Sequence, residues 1–314
     1  MIDIFLTTLP FFAVIACGYG AARAGFCPPE AVAWLTWFVF YFALAAMLFR
    51  FTASLPMAEV IQPRFMVAYF FACLPVYLIV NLAALLRKRP FGEAAVEAQC
   101  SVIGNTGFLG LPLLVTLIGP DAAPPIIMML LIDLVVFGSL IVIIITGARG
   151  DGDQAAALRA VGLGLVKNPM IMAILAGLVW SLLGIPLVRP VDSFLNLLGA
   201  AATPVALFAI GASLAARSAE RLSVALWLSG AKLVLHPLAA AAVALWLFDL
   251  PLFMAGMMIA AAAMPTAGNI YIIAQHYGVA PQRVSATILV SHVLAVVTLS
   301  LVLAELTGRG MLVP

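Results

Sequence analysis

Charge is what this chain has least of: 9% of its 314 residues are Asp, Glu, Lys or Arg, against 65% hydrophobic residues and a mean hydropathy of +1.21. No soluble fold of this length hides so much apolar surface, so a water-soluble globular class is excluded and a polytopic membrane protein is expected. The net charge of +2 and the lack of any basic run longer than Arg87-Lys-Arg89 argue against a nucleic-acid partner. Cysteine is equally sparse. Cys17, Cys27, Cys73 and Cys100 fall singly in or beside apolar runs, with spacing that fits neither a metal knuckle nor a disulfide framework. The N-terminus has no basic leader or Ala-x-Ala pattern, so its first apolar stretch is expected to be a retained span. There is no Gly-x-Gly-x-x-Gly, no P-loop and no His-Glu-x-x-His, and no nucleophile stands beside a base at helical spacing. Enzymatic chemistry, a bound cofactor and a metal site are therefore not expected.

What the chain does have is long apolar runs. They lie at about 5–22, 32–50, 65–86, 97–118, 124–147, 166–185, 194–215, 223–247, 251–275 and 284–306, each near the roughly 20 residues a spanning helix requires. That count predicts an all-α integral membrane protein with ten transmembrane helices. The turns between them carry Cys27-Pro-Pro29, Gln62-Pro-Arg64, Gly119-Pro-Asp121 and Asp249-Leu-Pro251. A polar stretch midway, with Arg149-Gly-Asp-Gly-Asp153, divides the chain into residues 1–147, a linker at 148–165 and residues 166–314.

Basic residues give the orientation. Loops after the odd-numbered spans hold Arg23, Arg87, Lys88, Arg89, Arg149, Arg159, Lys167, Arg217, Arg221 and Arg283, whereas the other side holds Arg50, Arg64, Arg189 and Arg309. The excess predicts cytoplasmic odd-side loops and both termini on the non-cytoplasmic side. Five spans per half also make the second half enter the membrane inverted, the condition for an inverted repeat. An offset of 159 carries Pro10 onto Pro169, Gly18 onto Gly177 and Asp133 onto His292.

Two of the apolar runs are interrupted. In the fourth, Gly104, Gly107, Gly110 and Pro112 weaken the helix around Asn105 and Thr106; in the ninth, Pro265 and Gly268 do so beside Thr266 and Asn269. Broken membrane helices in corresponding positions of two halves point to a secondary transporter's binding site. The helix that follows each break presents free N–H groups and a positive dipole end, a seat for a carboxylate, to which Asn105 and Asn269 can add amide donors and Thr106 and Thr266 hydroxyls. Charged or titratable groups within spans mark function by default. Asp133, Lys232 and His292 qualify, with Asp133 and His292 as candidate proton carriers and Lys232 as an internal charge partner for Asp133 or for a substrate, although snorkelling is open to it. His236, one turn from Lys232, and His276 read as structural or interfacial. Arg50, at the outer end of the second span, is a candidate guide for an anion.

The stretch Asn105-Thr-Gly-Phe-Leu-Gly-Leu-Pro-Leu113 resembles the Asn-Thr-x-x-x-Gly-x-Pro signature of the fourth span in the auxin efflux carrier family, whose members include bacterial organic-acid carriers. Ala263-Met-Pro265 through Ala274-Gln-His-Tyr277, with Val279-Ala-Pro281 and Ser285, is similar to that family's ninth span and following loop. Phe42 to Phe51 looks like its second span, with Ala45 or Ala46 where a proline is usual. The resemblance covers essentially the whole chain. It implies two inverted five-helix repeats, as in sodium/proton exchangers and bile-acid transporters, with spans four and nine crossing at their prolines. One bundle, spans one, two, six and seven, would be a scaffold offering a homodimer surface, and the other would move as an elevator. It further implies a bacterial inner-membrane carrier of small carboxylates such as malonate or malate, with protons as candidate co-substrates. The alternatives are an anion-binding channel or sensor, and a cation/proton exchanger of the same architecture, against which the single mid-membrane carboxylate Asp133 counts.

Overall fold

A computed structural model describes residues 2–56, 61–147, 154–215 and 222–313. Arg149 and the Gly-Asp-rich stretch after it, Arg217 and Arg221 lie outside the described residues. Those described fold as helices throughout: α1 Ile2–Arg23, α2 Pro29–Ser54, α3 Pro63–Leu86, α4 Phe91–Val102, α5 Thr106–Ile118, α6 Pro120–Gly147, α7 Gln154–Lys167, α8 Pro169–Leu182, α9 Arg189–Ala215, α10 Leu222–Leu247, α11 Leu252–Ala262, α12 Asn269–Tyr277 and α13 Pro281–Gly308. Six of these, α2, α3, α6, α9, α10 and α13, are long and apolar enough to cross a membrane, and a seventh arises if the bent pair α7 and α8 is one span.

Proline sets many of the starts. Pro29, Pro63, Pro120, Pro169 and Pro281 each occupy a first-turn position, where the missing N–H costs nothing and the fixed φ favours a helix. Between α7 and α8 the chain turns through 66° at Asn168, whose side-chain oxygen accepts from the N–H groups of Met170 and Ile171 and caps α8. The expected linker is thus helical from Gln154 onward, because Ala155-Ala-Ala-Leu-Arg-Ala160 is strong helix former and only Asn168-Pro169 interrupts it.

The helices pack in two groups. In one, α1 lies against α9, and α8 and the N-terminal half of α9 lie against α2. Glycines let the backbones meet: a Cβ on Gly18 of α1 would stand 2.0 Å from the Phe208 carbonyl oxygen, and one on Gly177 of α8 would stand 2.8 Å from that of Phe49. Close approach through small residues is the usual means of joining helices in lipid. These two contacts map onto each other with the same offset of 159, the partners exchanging halves. In the other group α3, α4, α6, α10, α11 and α13 surround the two helix breaks, with α5 and α12 continuing beyond them.

Candidate functional site

The breaks between α4 and α5 and between α11 and α12 meet. Asn105 donates its backbone N–H to the Pro265 carbonyl at 2.7 Å, and Ala267 donates to Ile103 at 3.0 Å, so that Gly104 and Thr266 face each other in a single antiparallel bridge. Each interrupted segment thereby satisfies backbone groups that the other's break leaves open, which in a bilayer is the condition for keeping non-helical chain at all. The crossing falls at Gly104 and Thr266. Pro112, expected at the fourth-span break, instead lies inside α5 at the start of its regular part, after a wide turn over Thr106–Gly110. Glycine is what the crossing point needs: a Cβ at 104 would meet the Ala261 carbonyl oxygen, the Lys232 ammonium and the Thr106 hydroxyl, all at 3.3 Å.

Side chains brace the bridge. The Thr266 hydroxyl donates to the Cys100 carbonyl (2.9 Å), and its backbone N–H donates to the Ser291 hydroxyl (3.1 Å). The Thr106 hydroxyl reaches the Gly104 carbonyl at 3.3 Å. Both threonines therefore serve the backbone and not an open space. His292 Nδ1 contacts the Ile288 carbonyl at 2.8 Å; since a carbonyl only accepts, Nδ1 carries the proton, and in the neutral ring Nε2 accepts from the Asn105 amide at 3.4 Å. The amide of Asn105 is thus held from behind by His292.

Lys232, fully buried on α10, reaches the bridge itself, its ammonium 3.3 Å from where a Cβ on Gly104 would stand. Its ammonium donates to the Ala262 carbonyl and meets His236 Nδ1 at 3.1 Å, while His236 Nε2 lies 3.3 Å from Cys73 Sγ. It does not snorkel, and no ion pair to Asp133 forms within 4 Å among the described residues. His236 is wholly enclosed, so the interfacial reading gives way to a structural one. Asp133, 3% exposed, accepts from the Tyr69 hydroxyl on Oδ1 at 2.9 Å, and its Oδ2 has no hydrogen-bond partner among the described residues. The chain is wound wide at Ile132–Phe137 around Asp133, at Ala231–Leu235 around Lys232 and at Thr106–Gly110. Such π turns gather at functional sites.

A cavity adjoins this cluster. A small inner part touches Gly104, Asn105, Gly107, Asp133, Gly268 and Asn269, and it widens into a space of about 690 Å³ between α2, α6, α7, α9 and α12. The N-terminal ends of α5 and α12 both reach it, at Gly107 and Asn269, with their dipoles' positive ends toward the same volume. Its walls are mostly apolar, including Trp37, Phe40 and Phe108, and among the described lining residues none is Lys, Arg or His. Arg50 stands elsewhere, bound to Asp192 through Nε at 2.6 Å and Nη2 at 3.3 Å, and ties α2 to α9. Asn105, Asn269, Gly107 and Asp133 are thus brought together at the cavity, Lys232 and His292 support the bridge, and Arg50 belongs to a helix-to-helix tie.

Sequence reasoning missed Tyr69, Ser291 and Gln99. Gln99 sits one turn before the α4 break, 2% exposed, lining the cavity with an unpartnered Oε1. Its one signal was a glutamine in the fourth apolar run, six residues before Asn105; Tyr69 and Ser291 sit on helices whose rotation no apolar run discloses.

The family model described as "Membrane transport protein" matches residues 3–303. A protein of Rhizobium meliloti (strain 1021) carrying the name "Putative malonate transporter" is 32% identical over 304 residues, covering 96% of this chain and 95% of the relative.

Proposed function

The chain belongs to the membrane transport protein family, and from that premise we propose that it is a secondary transporter of small organic anions, with malonate or a near dicarboxylate as substrate and alternating access as its mechanism. The observation that carries the reading is the bridged crossing of two broken helices whose following helices, α5 and α12, aim their N-terminal ends into one cavity beside Asn105 and Asn269. A carboxylate there meets unpaired N–H groups and two dipole ends at once. The relative named for malonate, similar over nearly its full length, supports the substrate class.

The finer architecture belongs to the same reading. Ten spans result if α4 with α5, α7 with α8, and α11 with α12 each count as one crossing and α1 spans. The exchanged contacts of Gly18 with Phe208 and of Gly177 with Phe49 support two inverted repeats. The α1, α2, α8 and α9 group serves as scaffold, with its exposed Trp34 facing lipid or a second copy, and the group around the crossing moves as an elevator. The cavity lies toward the end of the molecule that bears the loops at 24–28 and 278–280, which the basic residues assign to the cytoplasm; this conformation is then inward-facing, in an inner membrane, with both termini outside.

Uptake of radiolabelled malonate into liposomes containing the purified protein tests the proposal. We expect saturable uptake that accelerates when unlabelled malonate is present on the far side, and a loss of at least about tenfold in Asn105→Ala and Asn269→Ala, since each removes an amide at the seat while taking away little packing. Normal transport by both variants would remove the crossing from the mechanism.

A further inference from the structure

The turn between α3 and α4 holds the longest basic run of the chain, Arg87-Lys88-Arg89. It is folded tightly: the Lys88 N–H donates to the Leu85 carbonyl and that of Arg89 to the Ala84 carbonyl, with Lys88 at a φ of 58°, so all three cations follow directly on the last turn of α3. The carboxylates nearby are already matched. Arg283, at the start of α13, donates to Glu93 at 2.6 Å and to Glu97 at 2.9 Å, and Arg87 donates to Glu97, so two arginines neutralise two glutamates and tie the end of α3 to α4 and α13. Lys88 and Arg89 are left over. Lys88 is exposed and Arg89 half-buried, and no carboxylate comes within 4 Å of either among the described residues. The Nε of Arg89 has no acceptor there either. Two uncompensated cations thus stand at the end of a helix long and apolar enough to cross a membrane.

The surface that leads up to them is apolar. Leu78, Leu82 and Leu86 recur at every fourth residue of α3, share one face and are each more than half exposed, and Phe91, which opens α4 just past the turn, is 65% exposed. A leucine stripe that ends in two unpaired cations matches a lipid along its length, hydrocarbon beside the leucines and phosphate at the turn. A zwitterionic headgroup brings its own ammonium toward the two cations, whereas an anionic one does not. We propose that this corner binds an anionic phospholipid, its phosphate held by Lys88 and Arg89 and an acyl chain lying along Leu78, Leu82 and Leu86. The site is separate from the cavity at the crossing, which no residue from 78 to 91 lines, so its occupation can be read without any transport substrate.

Phosphatidylglycerol is the probe, with phosphatidylcholine of the same chains as the neutral control and glycerol phosphate as a headgroup without a tail. With the purified full-length protein in an uncharged detergent, phosphatidylglycerol should raise the midpoint of thermal unfolding saturably. The concentration giving half of that rise should increase about fivefold for each charge removed in Lys88→Gln and Arg89→Gln. Lys88→Arg should preserve it, and so should Arg309→Gln, which removes an exposed arginine already paired with Glu305. Coincident titrations for the wild type and the double Lys88→Gln, Arg89→Gln variant would overturn the proposal, as would equal effects of phosphatidylglycerol and phosphatidylcholine. A full effect of glycerol phosphate alone would make this a site for free phosphate and not for lipid. A second measurement needs no variant. Phosphatidylglycerol with a photoactivatable group in its acyl chain should cross-link to the unmodified protein at Leu78, Leu82 or Leu86, and unlabelled phosphatidylglycerol, but not phosphatidylcholine, should displace it. Cross-links spread evenly over the exposed helix faces would show bulk lipid only and sink the idea.

Discussion

A lysine with no exposed surface inside a membrane helix must find acceptors for its ammonium, and Lys232 has found the Ala262 carbonyl and His236. The carbonyl is the more telling partner, because it lies at the C-terminal end of α11, just before the break, where the negative end of the helix dipole draws a cation. Lys232 thus holds the second broken helix from behind. Lys232→Met, which keeps most of the volume, leaves that carbonyl without its donor, and we expect a cost of about 1–3 kcal/mol, read as a lower midpoint of thermal unfolding in detergent. Thr266→Val tests the other brace. It retains the shape but drops the bond to the Cys100 carbonyl, with a loss of about 1 kcal/mol expected in the same assay. A midpoint unchanged in both variants would mean that the backbone bridge alone holds the crossing. The charges themselves were legible in the sequence, since Asp133, Lys232 and His292 stand out in apolar runs. The surrounding contacts were not, because Tyr69 beside Asp133, Cys73 beside His236 and Ser291 beside Thr266 become neighbours only through the rotation of α3 and α13 about their own axes.

Among the elements, the close crossings of α1 with α9 and of α8 with α2 depend on glycine for space and not for backbone freedom. A Cβ at Gly18 would lie 2.0 Å from a carbonyl oxygen, and at Gly177 it would lie 1.8 Å from the Thr52 hydroxyl and 2.8 Å from the Phe49 carbonyl. Backbone cannot step aside as a flexible side chain can. Gly18→Ala and Gly177→Ala should each destabilise by about 1–3 kcal/mol or more, whereas Gly20→Ala, with nothing within 4 Å of the added methyl, should be neutral in the same unfolding measurement. Equal costs at 18 and 177 would agree with equivalent roles in two repeats, and a neutral Gly177→Ala would break the equivalence. Most elements could be read from apolar length and from proline at helix starts. Two boundaries could not. The helix α7 lies in a stretch whose charged and glycine residues suggested a linker, and the α4 break falls at Gly104 because a bridge to Thr266 exists there, a tertiary cause that places it eight residues before the proline that local propensity singles out.

For the whole molecule the cavity's position makes a statement about sides. It is lined by Ala33 to Tyr41 in the first half of α2, Ser139 and Val142 in the second half of α6, Ser213 near the end of α9 and Gln275 near the end of α12. The first half of one helix and the last half of another thus line one space, and in the ten-span reading proposed above they share the end of the basic loops. Leu111, Leu113 and Leu114 of α5, past the crossing, are completely buried, and on the carrier reading they close the other end. In a lipid vesicle the two ends are distinguishable by a charged, membrane-impermeant thiol reagent. In a background with Cys17, Cys27, Cys73 and Cys100 replaced by serine or alanine, Ser213→Cys should be labelled from the side that also labels a cysteine placed at Ala24, and should be protected by saturating malonate. A cysteine at Leu114 should resist the reagent from either side until substrate cycling opens the other face. Labelling of Ser213→Cys only from the side opposite Ala24 would reverse the assignment of the open end. Labelling of Leu114→Cys at rest, without substrate, would mean that the far side is not sealed, as a channel and not a carrier would have it.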